Sequence, residues 1–265
     1  MMSINFHQEE NKTSYLNREA HITWKQELTP LLTAYKPSHV VDLGCGGGIY
    51  TRALATMGVP CVTGVDFSKV MIEAAQRHSA SYPTVGYQIG TAKSTGLENH
   101  SADMVLARAL LHHLDTLEPV FIEVSRIVAQ NGLFLIQTRT TDDCFLKGTE
   151  NHVRGFFFDC FPALMEVEKK RRYSVEAICA AYEKSGWTLE RKWTFWETRA
   201  RHSSKEVLLN DIRLRKGRSI LHELSDSQLQ KLTAHMQANI ATRGTIEEKD
   251  RWTLLVAKKK DTPLS

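Results

Sequence analysis

Residues 39–58, HVVDLGCGGGIYTRALATMG, pass from a short β-rich run through a cluster of glycines into a helical pattern that stops at Gly58. A glycine-rich turn between a strand and its helix lets the backbone approach a ligand where a Cβ would collide, and it aims backbone N–H groups at that ligand. The dinucleotide form of the turn is G-x-G-x-x-G or A. Gly44 and Gly46 satisfy it, but Ile49 stands where the third small residue is required. The pattern here is D-x-G-x-G-x-G, at Asp42, Gly44, Gly46 and Gly48. An acid two residues before the first glycine repels a pyrophosphate brought close to it, yet accepts from an ammonium group directly or through water. The loop therefore points to a cofactor that bears an amino acid. Asp66, ending the next β-type run, suits the vicinal hydroxyls of a ribose, a device common to both cofactor classes.

The strand and helix alternation continues beyond the loop. Strands are expected at 60–66, 84–89, 102–108 and 133–138, with helices at 68–78 and 116–130. The last helix carries the stripe Leu117, Val120, Phe121, Val124, Ile127 and Val128, with Asp115 and Glu118 at capping-box spacing and a left-handed stop at Asn131-Gly132. From residue 139 the texture changes, and Phe156, Phe157, Phe158 and Phe161 group with Met165 in a stretch without strand alternation. A helix at 174–185 and a strand at 187–198 resume the domain. Ser203 with Glu206 and Ser225 with Gln228 then head two further helices, and residues 251–260 read as the closing strand. Ahead of all this, residues 13–35 have a helical period interrupted by Pro30, which reads as one long helix or two short ones. The expected fold class is α/β: a seven-stranded, mostly parallel sheet flanked by helices. A helical segment at 1–37 precedes a domain at 38–265, with helical insertions at 139–172 and 199–245 that cover the substrate.

Composition narrows the function classes. A chain of 265 residues with 42% hydrophobic residues buries a substantial core. The absence of a charged-then-apolar leader and of any apolar run near ~18 residues reads as a soluble, cytoplasmic protein without a membrane span. Five scattered cysteines, with no C-x-x-C pair and no His/Cys ligand spacing, argue against disulfides and a metal site. The net charge of +4, from 34 basic and 30 acidic residues, permits acidic partners without arguing for nucleic acid.

With these segments in order, the chain resembles the class I S-adenosylmethionine-dependent methyltransferases of the type 11 group, whose fold is Rossmann-like. VVDLGCGGG matches the family's first strand and loop, and GVDFS its second strand. Leu111, His112, His113 and Leu114 match its LHHL, while Glu123, Arg126, Val128, Asn131 and Gly132 approximate its E-x-x-R-x-L-x-x-G-G. The resemblance covers residues 38–140 well and the remainder in outline. It implies that Gly44, Cys45 and Gly46 lie against the methionine part of S-adenosyl-L-methionine, with S-adenosyl-L-homocysteine as product. Asp42 would face the ammonium group, Asp66 the ribose, and Phe67 with Met71 the adenine. Tyr15 and Arg18 would belong to a lid formed by the first helical segment. Two positions depart from the family: Thr91-Ala92 replaces an Asp-Ala pair at the adenine, and Arg108 stands where small residues are usual, near the cofactor carboxylate or the substrate mouth.

The implied activity is methyl transfer to a small-molecule acceptor by in-line displacement, in which positioning does most of the catalysis. His112 and His113 pack or cap their turn, or one of them serves as a general base where the acceptor must lose a proton. The phenylalanines form the core of the insertion, some of them also walling an apolar substrate pocket. KKRRY (169–173) and RLRKGR (213–218) read as solvated faces, with anion binding by Arg213, Arg215 or Arg218 as the alternative. The competing function is a non-catalytic cofactor- or partner-binding module, kept open by Thr91 and Arg108. A nucleic-acid methyltransferase is disfavoured by the absence of N-P-P-Y and D-P-P-Y stretches and of a strongly basic domain, and a nicotinamide enzyme by Ile49.

Overall fold

The computed structural model describes residues 19–260. Tyr15 and Arg18 lie outside the described residues. The strands are β1 (His39–Leu43), β2 (Cys61–Asp66), β3 (Val85–Ile89), β4 (Ala102–Arg108), β5 (Val128–Thr138), β6 (Trp187–His202) and β7 (Ile246–Lys259). They form one sheet in the order β3-β2-β1-β4-β5-β7-β6. The first five run parallel, and β7 pairs antiparallel with β5. The described helices are α1 (Ile22–Tyr35), α2 (Ile49–Thr56), α3 (Lys69–His78), α4 (Glu118–Ile127), α5 (Thr141–Cys144), α6 (Gly155–Cys160), α7 (Ala163–Arg171), α8 (Val175–Lys184), α9 (Lys205–Arg213) and α10 (Asp226–Asn239). Among the described residues no helix is long and apolar enough to cross a membrane.

The described chain divides into two compact units. One holds residues 19–138, 173–195 and 253–260, the other residues 139–172 and 196–252. In the first, the odd-numbered face of β1, β4 and the even-numbered face of β5 carry the core: Val41, Leu43, Val105, Ala107, Phe134 and Ile136 pack with Phe121, Val124 and Ile127 of α4 and Ile178 and Tyr182 of α8. Phe121, Phe134 and Tyr182 meet with ring centroids 5.0–5.5 Å apart, and the Tyr182 hydroxyl donates to the Phe134 carbonyl at 3.2 Å, so no polar atom is stranded there. In the second unit Phe156, Phe157 and Phe158 are buried with Leu208, Leu209 and Ile212 of α9 and Leu229, Leu232 and Met236 of α10.

Of the two forms expected for the first helical segment, its described part is a single helix, α1, running unbroken through Pro30. Several other boundaries differ from the sequence expectation. The helix expected at 116–130 is Glu118–Ile127; its N-cap is Leu117, which makes no side-chain cap bond, so Asp115 and Glu118 form no capping box. The chain leaves the helix at Val128 directly into β5, and Asn131, at φ 62°, lies inside that strand segment at a register shift rather than ending the helix. At α9 the cap is Ser204, whose hydroxyl accepts from the Val207 amide, and not Ser203. The capping box at Ser225 and Gln228 is formed. β6 extends to His202, so residues 199–202 of the expected helical insertion are strand, and β7 starts at Ile246.

Glu123 and Arg126, matched above only as motif letters, have a structural task. The Glu123 carboxylate accepts from the Thr95 amide (2.7 Å) and hydroxyl (2.6 Å) and from the Arg126 guanidinium (2.7 and 2.8 Å), while Arg126 also donates to Asn99 (2.7 Å). Hydrogen bonds from Arg126 outweigh burial and hold the Glu123 carboxyl down at about 2. α4 thereby pins the loop after β3. Glu123→Gln is expected to lose about 2 kcal/mol, because a buried charge-assisted bond is weakened and a donor is placed among donors. Urea melts of the variant and the parent at pH 7 measure this.

Candidate active site

Register builds the site at the carboxyl ends of β1, β2 and β4. Leu43 stands level with Val65 and with Ala107, and the amides of Gly44 and Cys45 both donate to the Val65 carbonyl, at 2.8 and 3.0 Å. The loop then turns through left-handed backbone, with φ of 76° at Gly44, 51° at Gly46 and 74° at Gly48. A Cβ at Gly48 would also run into the Tyr87 hydroxyl, which bonds Ser79 at 2.7 Å, so this glycine serves close packing against β3. At Gly46 the nearest atom is the Met71 methyl, 3.4 Å from a built Cβ.

Asp66 holds the loop. One of its oxygens accepts from the Gly46 amide and the other from the Ser68 amide, both at 2.9 Å. Each carboxylate oxygen has a second acceptor position, so the group retains capacity for two hydroxyls. Phe67 follows with its ring 64% exposed, and Met71 lies one turn into α3. Asp42 is 3% exposed and accepts from the Thr51 hydroxyl at 2.7 Å. Burial raises its carboxyl to about 6, against the opposing effects of the Thr51 bond and the Arg108 charge; Asp66 adds to the rise. Burial and the same two acids keep Cys45 a thiol, its pKa well above the usual range.

Arg108 ends β4, and its guanidinium lies over the Tyr50 ring, 3.9 Å from the centroid. The chain turns away at Ala109, φ 52°, whose amide donates to the Gln137 carbonyl at 2.9 Å. The fully buried Trp24 of α1 meets Tyr50 edge-on at 4.8 Å and donates from its indole N–H to the Gln137 side chain at 2.8 Å. His112 and His113 follow in a 3-10 turn, His112 half-buried and His113 exposed, with ring centroids 4.0 Å apart. The Thr91 hydroxyl accepts from the Ser94 amide at 3.1 Å, closing a turn, and Ala92 packs on the main core.

The methyltransferase domain family Methyltransf_11 matches residues 41–136. Over these residues the chain is similar to the methyltransferase domains of that family. Its members take their methyl group from S-adenosyl-L-methionine. The ubiquinone biosynthesis O-methyltransferase of Colwellia psychrerythraea is 30% identical over 120 residues, 44% of this chain and 48% of that protein. The methyltransferase YcgJ of Bacillus subtilis is 32% identical over 117 residues, 43% of this chain and 46% of that protein. The chain thus spans about half the length of the curated relatives it matches. The YcgJ structure superposes with a TM-score of 0.57 over 90% of this chain and 100% of its own, at 17% identity. A Haemonchus contortus phosphoethanolamine N-methyltransferase, solved with phosphomonomethylethanolamine and S-adenosylhomocysteine, gives 0.54 over 90% of this chain and 53% of its own, at 20% identity.

Within the matched residues the structure brings Asp42, Gly44, Cys45, Gly46, Asp66, Phe67 and Met71 to one loop and its flanks. Sequence reasoning missed Thr51, Tyr50, Trp24 and Gln137. Gln137 was detectable as the lone amide in the apolar run LFLIQT.

In the inserted unit, Phe156, Phe157 and Phe158 are 1–5% exposed core residues, and Phe161 is the half-buried one of the four. The two basic runs are not simply solvated faces. Arg172 bonds Glu168 at 2.8 Å and Arg218 bonds Glu248 at 2.6 Å, each with its side chain 4% exposed. Arg215 donates to the carbonyls of Leu221 (3.1 Å) and Leu224 (2.9 Å) and to Asp226 (2.9 Å). Arg215 and Arg218 are thus engaged by the protein itself, while Arg213 is exposed.

Proposed function

We propose that this chain transfers a methyl group from S-adenosyl-L-methionine to a small-molecule acceptor. The observation that carries the reading is the buried Asp42 beneath a left-handed glycine turn, next to an Asp66 that retains acceptor capacity and an exposed Phe67 ring. When bound, the cofactor supplies a sulfonium methyl group open to in-line attack. Asp42 accepts from its ammonium group and Asp66 from its ribose hydroxyls. Phe67 and Met71 offer apolar contact to the adenine, and the Thr91 hydroxyl and Ala92 complete that end. Since the positive charge on sulfur disappears during transfer, holding donor and acceptor in line does more than stabilising new charge. Where the acceptor is a hydroxyl or a protonated amine, a ring nitrogen of His112 or His113 takes the proton. Phe161, partly exposed at the edge of its cluster, is the phenylalanine best suited to meet an apolar acceptor.

A cofactor-binding module without turnover is the second reading. It is favoured by the Ser94 amide, which already uses the Thr91 hydroxyl as acceptor where the family commonly has an acid. Incubation of the protein with methyl-labelled cofactor and a metabolite extract separates the two. Label in a small molecule supports transfer; cofactor bound without transfer supports the module; no binding removes both.

A further inference from the structure

We propose that the inserted unit binds a phosphate group at the side-on fork of Arg171, at the end of α7. The site lies wholly within residues 139–172 and 196–252, so it stands apart from the methyl-transfer reading. Buried charges are ordinarily paired, because an unopposed ion loses its hydration without compensation. Here the pairing is incomplete. Glu168 accepts from Arg154 at 2.9 Å and from Arg172 at 2.8 Å, Asp250 from Arg139 at 2.9 Å, and Glu248 from Arg218 at 2.6 Å. Asp143 has its own partner in Arg251. Even with Arg199 set against the buried Glu197, these three carboxylates face five guanidinium groups among the described residues, of which Arg171 is the fifth. The surplus matches the charge of a phosphate monoester near neutral pH, roughly −1.5 to −2.

The side chain of Arg171 marks where that group sits. Its Nε and Nη2 are buried without a hydrogen-bond partner, and Nη1 reaches only the Ser219 hydroxyl, at 3.5 Å. Nε and Nη2 share one edge of the guanidinium, the edge that receives two oxygens of a phosphate side by side. Glu168 lies 3.7 Å from Nε, too far for a hydrogen bond, and is already engaged by Arg154 and Arg172. A buried donor left unmet carries its full desolvation penalty, which an anion on this edge relieves. At 27% exposure the Arg171 side chain is also the most accessible of the five, against 4–11% for the others. The carboxyl end of a helix repels an anion through its dipole, but Lys169, Lys170 and Arg172 beside Arg171 reverse that field.

Calorimetry and thermal melts on the full chain, at constant ionic strength and without phosphate buffer, test this with inorganic phosphate, methyl phosphate and acetate. The parent is expected to bind the phosphates about tenfold or more tightly than acetate, which brings a single charge. Arg171→Gln should weaken phosphate binding by about tenfold or more, the range of a charge-assisted hydrogen bond, while melting close to the parent when no ligand is present. Arg171→Lys keeps the charge without the fork and should fall between them. The exposed neighbour serves as control, with Lys170→Gln changing the affinity by about twofold or less. Tighter binding of methyl phosphate assigns the group to a small-molecule ester and tighter binding of inorganic phosphate to the free ion; both support the site. A parent that binds neither phosphate would mean that water meets the fork, and it would overturn the proposal. So would acetate binding as tightly as phosphate, an unchanged affinity in Arg171→Gln, or a loss in Lys170→Gln equal to that in Arg171→Gln, the mark of diffuse attraction to the basic run. No cofactor is present in these measurements, so a negative result leaves the methyl-transfer reading untouched.

Discussion

Asp42→Asn is expected to make the unliganded protein more stable at pH 7 while cutting its affinity for S-adenosylhomocysteine by about 100-fold, the scale for truncating one partner of a buried charge pair. The opposite signs follow from one fact. Burial lifts the Asp42 carboxyl from 3.8 to about 6, so at pH 7 the empty protein holds a charge in a place that disfavours it. Between pH 3.8 and about 6 the folded chain binds a proton that the unfolded chain does not, so this residue's contribution to stability falls as pH rises through that window and is lowest above it. Asparagine removes the buried charge and can still accept from Thr51, a gain on the order of 1–3 kcal/mol at pH 7 for a shift of this size. Ligand binding runs the other way, since an ammonium group needs the ionised carboxylate. Parent affinity should be flat above pH 7 and weaken by up to tenfold per unit below about pH 6, and the variant should lose that dependence. Thermal melts with calorimetry across pH 5–8 give both readouts. An Asn variant that is less stable and binds as tightly as the parent would show that Asp42 is a structural acid and not a ligand for the cofactor.

The fold was legible where residue type and periodicity agree. The strands at 39–43 and 102–108 are apolar runs closed by glycine or by a turn, and the spacing of Asp42, the glycines and Asp66 carries a backbone requirement that the left-handed turn meets. Illegible features were those in which tertiary packing outweighs local signal. Asp115 and Glu118 have the spacing of a cap, but the helix starts two residues late, with Pro119 fixing the first turn. Adjacent serines 203 and 204 differ by one residue, a distinction that only the packed backbone makes. The start of β7 is the clearest case. Its inward positions Ile246, Glu248, Asp250 and Trp252 alternate with period two as in any half-buried strand, but two of the four are acids, so the pattern reads as a loop until their partners are known. Those partners, Arg139, Arg154, Arg199 and Arg218, lie 30 to 111 residues away.

That network makes the second large prediction: Asp250→Ala should destabilise the inserted unit by about 3–5 kcal/mol, the cost of leaving buried charge unopposed. Asp250 accepts from Arg139 at 2.9 Å and lies 3.6 Å from Arg154 and 3.8 Å from Arg199, with its own side chain 6% exposed. Burial alone would raise its pKa, yet the three guanidinium groups hold it well below the usual carboxylate range. The same competition, won by Arg218, His202 and Arg199, puts Glu248 at about 2. Burial also brings Arg139 down to about 10, helped by its neighbour Arg154, so Arg139 has little tolerance for losing its acid. Because both acids are depressed in the folded state, their stabilisation is complete above the unfolded carboxylate range near pH 4 and is lost as pH falls toward about 2. The contrast is the exposed pair Lys169–Glu166, at 2.8 Å but 51% and 68% exposed, whose removal should leave stability nearly unchanged. Similar separations with different burial thus predict a large loss for the buried acid and a negligible one for the exposed acid. Denaturant melts of Asp250→Ala and Glu166→Ala at pH 7 and pH 3 measure it. At pH 3 the gap between the two variants should narrow, since the parent has by then begun to lose what Asp250 and Glu248 contribute. Equal, small losses from both substitutions would show that the buried carboxylates are solvated in practice.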